Sequence, residues 1–520
     1  MTTTFPRVTY SNIGVDLTPL HDYLDAEIPQ IKKTMLGQHW PNLIGGVESE
    51  LGDRYDVKSP IDNTTVMGSF VSATTQAVEQ AVAQARKAFP QWSSTPWQQR
   101  VERLREWANH IEKHKYELAV VAIAEVAKSR SEALGEVEEV LDMIRYYCDE
   151  MERNDGYTCA MRQAFENEKT RNVLRPIGVF GVIAPFNFPL ALSVGMMTGA
   201  LLGGNTVVFK PAPNSALTGH LLVRYMREAK LLDAVSIVAG HDETGKSLTS
   251  HPDISGIAFT GSHDVGMSIF RALSNSSYAK PVLAEMGGKN PAYVMASADI
   301  KAAAQGVARS AYGLQGQKCS ACSVVYVDRR VKEAFLQEFD RFVESLRIGN
   351  PEDRTTFMGP LYDQDAVDRY DHVIAVAKEQ KQLIKGGKID MPAALEQGHY
   401  RLPALIEVPA GDPLTKDELF APILALRTID SLDEALTEGN AVEYGLTAGI
   451  YTKDENELQT FLDNAQAGAL YANRPHGATT GAWPGIQSFC GWKGSGISQK
   501  GGLGPHYVTQ FMREQSHTLM

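Results

Sequence analysis

The stretch YGLQGQKCSACSVVYV, residues 312–327, sets two cysteines three positions apart immediately before a run of β-formers. Three chemistries use that spacing. A zinc clip wants four ligands, and no second pair or nearby histidines accompany Cys319 and Cys322, so no metal site is expected. A redox dithiol fits the spacing and stays as an alternative. A nucleophile with a bystander fits the flanks best. Cys319 follows the glycine-rich GLQGQK, an approach that presents a side chain in a cleft, whereas Cys322 enters the strand-like SVVYV. Cys319 is therefore read as the nucleophile and Cys322 as packing. A second stretch, GIAFTGSHDVG, reads as a strand, a Gly261-Ser262 turn and a helix starting near Asp264. Free N–H groups at such a helix start suit a phosphate, although a plain strand-to-helix turn explains the same letters. Taken singly, Asn187 reads as a turn residue, Glu285 as a surface carboxylate and Lys210 as a solvated lysine.

The elements that must position these residues follow from periodicity. Apolar spacing predicts a helix over 74–90, a second opening with Thr95 as N-cap and Pro96 in its first turn, and helical pattern to about Met151. The polar stretch 154–178 reads as an extended excursion that packs on a neighbouring subunit. Beyond it VFGVIAPF, NTVVFK, AVSIVAG and GIAFTGS read as buried strands, with helices near 190–203, 215–230 and 242–250. A second alternating block runs from PAYVMA to TAGIYT. This alternation predicts an α/β chain with mainly parallel, doubly wound sheets. From Ile177 to Phe209 there is no Asp, Glu, Lys or Arg, but prolines, asparagines and glycines break the run into strand, loop, buried helix and strand rather than a membrane span.

Composition bounds the function. The chain has 520 residues, 43% hydrophobic and 22% charged, enough for two or three domains. Its net charge of -12 with scattered basic residues excludes a nucleic-acid footprint. Five cysteines without framework spacing predict reduced thiols and a cytoplasmic setting, and the N-terminus carries no secretory signal pattern.

Five motifs, in order, resemble those of the aldehyde dehydrogenase superfamily: APFNFP at 184–189, FKPAPNS at 209–215, EMGGKNP at 285–291, GQKC at 316–319 and DELFAP at 417–422. The resemblance implies a Rossmann-type cofactor domain (1–155 and 177–287), an α/β catalytic domain (288–485) and a small β oligomerisation flap (156–176 and 486–520). It also implies a homodimer or higher homo-oligomer. Cys319 would attack an aldehyde, the Asn187 amide and the Cys319 N–H would hold the oxyanion, and Glu285 would activate the water that hydrolyses the thioester. NAD or NADP would be held by Lys210, Gly245, Gly261, Ser262, Glu418 and Phe420, with Pro185 and Phe186 beside it. Two departures stand out. Pro213 occupies a position where NAD-preferring relatives often carry Glu, which leaves NADP open, and Ala421 replaces a glycine.

The C-terminal segment, with Thr-Gly-Ala at 480–482, Phe-x-Gly at 489–491 and GGLGPHY, is similar to the 1-pyrroline-5-carboxylate (L-glutamate γ-semialdehyde) dehydrogenase branch. That likeness implies a substrate carboxylate held by Ser320, Gly481 and Ala482, with Phe489 alongside, and oxidation of the semialdehyde to L-glutamate in proline catabolism. Cys490 in place of glycine departs from the branch. The alternative substrate is another semialdehyde, or an aliphatic or aromatic aldehyde in a tunnel lined by Phe186, Phe188, Trp483 and Phe489. A non-catalytic relative is disfavoured by the presence of both Cys319 and Glu285. A CoA-acylating variant is disfavoured by Glu285, whose role is hydrolysis.

Overall fold

The computed structural model describes residues 5–9 and 15–520. Two seven-stranded sheets dominate it. In the first, the strands Val282–Glu285, Gly256–Thr260, Val179–Ile183, Thr206–Lys210 and Val235–Ile237 lie side by side in that order and all parallel, extended by the antiparallel Asn42–Ile44 and Val47–Ser49. The strand residues Val179–Val182 and Thr206–Lys210 are buried, as expected of strands covered by helices on both faces. The chain builds outward from Val179–Ile183 in one direction, then returns to its other side for Gly256–Thr260. That reversal makes a crevice at the carboxyl ends of the strands, where loops 184–190 and 261–262 emerge side by side.

The second sheet runs Leu383–Lys388, Arg401–Glu407, Ile423–Ile429, Cys322–Asp328, Asn290–Val294, Thr447–Tyr451 and Ala469–Ala472, parallel except for the first pair. The β-α alternation expected from the sequence is thus present in both halves. A three-stranded antiparallel sheet stands apart, formed by Thr158–Ala160, Lys169–Pro176 and Met512–Leu519, with mostly exposed residues.

Some expectations need correcting. Thr95 does not cap the helix after it. Its hydroxyl donates to the Gln91 carbonyl at 3.0 Å, closing the helix Thr75–Ser94, and Pro96 stands at the N-cap of Trp97–Lys113. The helical pattern to Met151 is three helices, the third of which, Arg130–Arg153, begins with a capping box between Ser129 and Glu132. The helix expected over 215–230 ends at Arg224. The segment 486–520 divides. Met512–Leu519 joins the exposed sheet, but Tyr507, Val508 and Phe511 are buried, with the Tyr507 ring stacked on Tyr147 and Phe511 against Phe180. Ala191–Leu202 is a buried helix of 12 residues, and among the described residues no helix is long and apolar enough to cross a membrane.

Candidate active site

Cys319 sits in a turn between the helix Ile300–Tyr312 and the strand Cys322–Asp328. The approach to it is left-handed at Leu314, Gln315 and Gly316. Gly316 is required there, since a Cβ would fall 2.3 Å from the Ala421 carbonyl oxygen. The Asn290 amide then staples the turn, donating to the carbonyls of Cys319 at 2.7 Å and Ala321 at 3.0 Å. Cys319 is left partly exposed, whereas Cys322 is 1% exposed inside its strand, with its Sγ 3.5 Å from the Val324 carbonyl. All five cysteines are unpaired, and no cluster that could hold a metal ion exists among the described residues.

Glu285 ends the strand Val282–Glu285, paired with Thr260 in register, and lines one cavity together with Cys319. Neither of its carboxylate oxygens has a hydrogen-bond partner among the described residues. Burial raises its pKa to about 8, with the nearby Gly491 N–H acting weakly in the opposite sense. Cys319 is pushed up to about 12, first by burial and then by the negative charges of Glu418 and Glu285. The resting pair is thus a neutral thiol beside a mostly protonated acid. Asn187, 4% exposed, lies on the loop after Val179–Ile183, and its amide donates to the Gln317 carbonyl at 2.9 Å, two residues before the thiol. The same loop is held by Glu136, whose carboxylate accepts from the N–H groups of Leu190 at 2.9 Å and Ala191 at 3.0 Å.

Ser320, Gly481, Ala482 and Phe489 line this cavity too, as the sequence reading proposed for a carboxylate anchor. The Thr479 hydroxyl donates to the Ser320 carbonyl at 2.7 Å, binding the loop 479–482 to the nucleophile turn. Of the four aromatics expected in a tunnel, Phe188 and Phe489 face the cavity. Phe186 instead stacks on Tyr362 and meets Phe420 edge-on at 5.9 Å. Trp483 is buried, with its indole N–H donating to Asp142 at 2.9 Å, so it does not line the cavity.

Sequence reasoning missed Glu139, Met143 and Tyr147, three cavity-lining residues of Arg130–Arg153. Their i, i+4, i+8 spacing places them on one helix face, and a carboxylate on an otherwise apolar stripe was the available signal. Burial, then the neighbouring Glu136 charge, raises Glu139 to about 8. Lys318, which also lines the cavity, pairs with Glu132 at 2.9 Å.

The residues expected to hold a cofactor gather at the carboxyl ends of the first sheet. Lys210 ends Thr206–Lys210 and is 6% exposed, and its pKa is lowered to about 8 by burial. Its ammonium donates to the adjacent Pro211 carbonyl at 3.4 Å and makes no ion pair among the described residues, which leaves donors for ligand hydroxyls. Gly245 lies beside it, an added Cβ falling 3.6 Å from the Lys210 Cε. The Gly261 N–H donates to the Glu285 carbonyl at 3.2 Å, and exposed Ser262 stands at the N-cap of His263–Ser274 with its hydroxyl making no cap bond. Glu418 accepts from the Gly288 N–H at 2.9 Å, and a Cβ at Gly287 would fall 2.0 Å from that carboxylate, so any larger residue there would displace Glu418. Phe420 has φ +52°, and Pro185 lies half-buried on the Asn187 loop. A buried unpaired ammonium, an open helix start and a buried carboxylate along one crevice fit a dinucleotide.

Residues 47–517 match the aldehyde dehydrogenase family. The chain belongs to that family and is an NAD(P)-dependent aldehyde dehydrogenase. Within the family it is 32% identical over 524 residues to the 1-pyrroline-5-carboxylate dehydrogenase of Bacillus licheniformis, covering 99% of both chains. Its structure matches 1-pyrroline-5-carboxylate dehydrogenase from Thermus with bound NAD, with a TM-score of 0.91 and 30% identity over 100% of both chains. It also matches 3,6-anhydro-L-galactose dehydrogenase in complex with NAP, with a TM-score of 0.86 and 29% identity over 93% of this chain and 100% of that one.

Proposed function

We propose that the chain oxidises L-glutamate γ-semialdehyde, the open form of 1-pyrroline-5-carboxylate, to L-glutamate. The observation that carries this reading is a single cavity lined by a thiol, a carboxylate whose oxygens make no hydrogen bond among the described residues, Ser320 and the Gly481–Ala482 loop. The relatives named 1-pyrroline-5-carboxylate dehydrogenase support the same substrate.

In this reading Cys319 releases its proton to solvent, and because Glu285 is mostly protonated at neutral pH the thiolate does not face a second negative charge from it. The thiolate adds to the aldehyde carbon, and the resulting thiohemiacetal oxyanion is held by the Asn187 amide and the Cys319 N–H, contacts worth about 3 kcal/mol each. Bound NAD or NADP supplies the hydride acceptor, and its cationic ring a compensating charge. Loss of hydride from the thiohemiacetal carbon leaves a thioester on Cys319. Glu285 then takes a proton from water, hydroxide adds to the thioester, and the carboxylate product leaves with the thiol restored. Lys210 would hold the adenosine ribose, Ser262 the pyrophosphate and Glu418 the nicotinamide ribose. Pro213 places no carboxylate against a 2′-phosphate, so both cofactors are accommodated.

Within the cavity, N–H groups of Gly481 and Ala482 and the Ser320 hydroxyl suit an α-carboxylate. Glu139 suits the adjacent α-ammonium, whose charge would favour the ionised form of that buried acid. The apolar lining from Met143, Phe188, Met196 and Phe489 favours a second reading, a broader aldehyde range. A panel of glutamate semialdehyde, succinate semialdehyde, an aliphatic aldehyde and benzaldehyde, each with NAD and NADP, separates the two. Glutamate semialdehyde should show the highest kcat/KM, and Ser320→Ala should lower it about ten- to a hundredfold while sparing benzaldehyde. A preference for benzaldehyde or the aliphatic aldehyde, or an equal effect on all, would select the second reading.

The exposed sheet of Thr158–Ala160, Lys169–Pro176 and Met512–Leu519 supports pairing with a second copy, because it leaves free strand edges. Five unpaired cysteines support a reducing, cytoplasmic setting.

A further inference from the structure

The carboxylate loop is pinned at two ends by different parts of the chain. On one side Thr479 and Thr480 are tied to Ser310, through the Thr479 N–H at 3.2 Å and a hydroxyl pair at 3.1 Å. On the other, two residues beyond Gly481, the Trp483 indole N–H donates to Asp142 at 2.9 Å. Between the pins Gly481 adopts φ +94°, a conformation that only glycine takes without strain. The Gly481 carbonyl also accepts from Arg474 at 3.2 Å and the Trp483 backbone N–H donates to the Gln487 side chain at 3.1 Å, so the directions of the Gly481 and Ala482 N–H groups are set by these bonds together with the two pins.

Asp142 occupies the helix Arg130–Arg153, three residues after Glu139 and one before Met143, which both line the cavity. The second pin thus joins the loop wall of the cavity to its helix wall. The other oxygen of Asp142 pairs with Arg7 at 2.8 Å, and Arg7 also reaches Glu138 at 2.6 Å. Arg7 belongs to a segment anchored by Phe5, whose ring packs against those of Tyr23 at 5.2 Å and Tyr116 at 6.0 Å. Both oxygens of Asp142 are thus engaged, one from the N-terminal segment and one from the loop.

We propose that Asp142, held by Arg7 and bonded to Trp483, is a positioning residue that sets substrate specificity by aiming the Gly481 and Ala482 N–H groups at the carboxylate of the substrate. The inference rests on the anchor assigned above for glutamate semialdehyde, and it assigns Asp142, Trp483 and Arg7 no contact with the reacting atoms. A loop released at one end still closes the cavity over an uncharged aldehyde but no longer presents two converging donors to an anion.

The test uses the full-length enzyme and the variants Asp142→Ala, Asp142→Asn, Trp483→Phe and Arg7→Ala. KM for glutamate semialdehyde should rise about tenfold in Asp142→Ala and Trp483→Phe, with kcat changed less than about twofold. KM for an aliphatic aldehyde of similar length should stay within about twofold. Asp142→Asn keeps an oxygen acceptor for the indole and should restore most of the affinity, and Arg7→Ala should fall between. Hydrogen exchange of the peptide spanning 478–490 should quicken in Asp142→Ala and Trp483→Phe and stay near wild type in Asp142→Asn. Equal losses with both aldehydes, or unchanged KM and exchange in a folded Trp483→Phe, would overturn the proposal. If the wild type shows no preference for the semialdehyde, the substrate reading falls, and the exchange measurement decides the positioning role alone.

Discussion

Replacing Glu285 with Gln separates the two halves of the reaction. With its pKa raised to about 8, Glu285 is ionised in only about a tenth of molecules at pH 7 and nearly all above about pH 9. Where hydrolysis limits turnover, wild-type kcat should therefore climb about tenfold between those values. A positioned general base is worth about a hundred- to ten-thousandfold, so the Gln variant should lie that far below the wild-type plateau. Its own profile should be flat, and the gap at pH 7 should be about tenfold smaller than at pH 9. Stopped-flow absorbance of reduced nicotinamide should still show a burst near one equivalent per active site, because hydride transfer precedes the hydrolytic step. Stability gives an independent check. An acid whose folded-state pKa is raised contributes its stability fully below its ordinary value of 4.5 and loses it as pH rises through about 8. Gln cannot ionise, so the Tm of the variant should gain on the wild type from pH 5 to 8. Parallel pH profiles for the two proteins, or loss of the burst together with steady turnover, would refute the reasoning.

Cys322→Ser should keep kcat within about twofold while lowering Tm, since a hydroxyl replaces a buried thiol in a packed strand. Loss of activity in folded protein would instead indicate a dithiol reaction. Deleting Arg513–Met520 removes the outer strand of the exposed sheet and retains Tyr507 and Phe511, and should shift the elution volume to that of a monomer. An unchanged volume would contradict strand pairing between subunits.

The parallel sheets and the nucleophile turn were legible because each is local. Buried strands write themselves as short apolar runs, and glycines mark the bend before Cys319. The neighbours of the site were less legible, because three-dimensional closure brings them in. Glu139 enters from a helix 180 residues upstream of Cys319, and Tyr507 from slightly farther downstream. Trp483 illustrates the other failure. Its position in the sequence beside Gly481 and Ala482 suggested a cavity wall, but an indole N–H in a buried setting requires an acceptor, and Asp142 draws the ring away. Thr95 misled for the same kind of reason, its hydroxyl satisfying the helix behind it rather than the one ahead.

The central claim is that the acyl group passes through Cys319. Incubating Glu285→Gln enzyme with glutamate semialdehyde and NAD, quenching in acid and mapping peptides by mass spectrometry tests it directly. A glutamyl group on Cys319, close to one per subunit and dependent on NAD, is the predicted result. An adduct on Cys322, or no adduct despite a burst of reduced nicotinamide, would contradict the account.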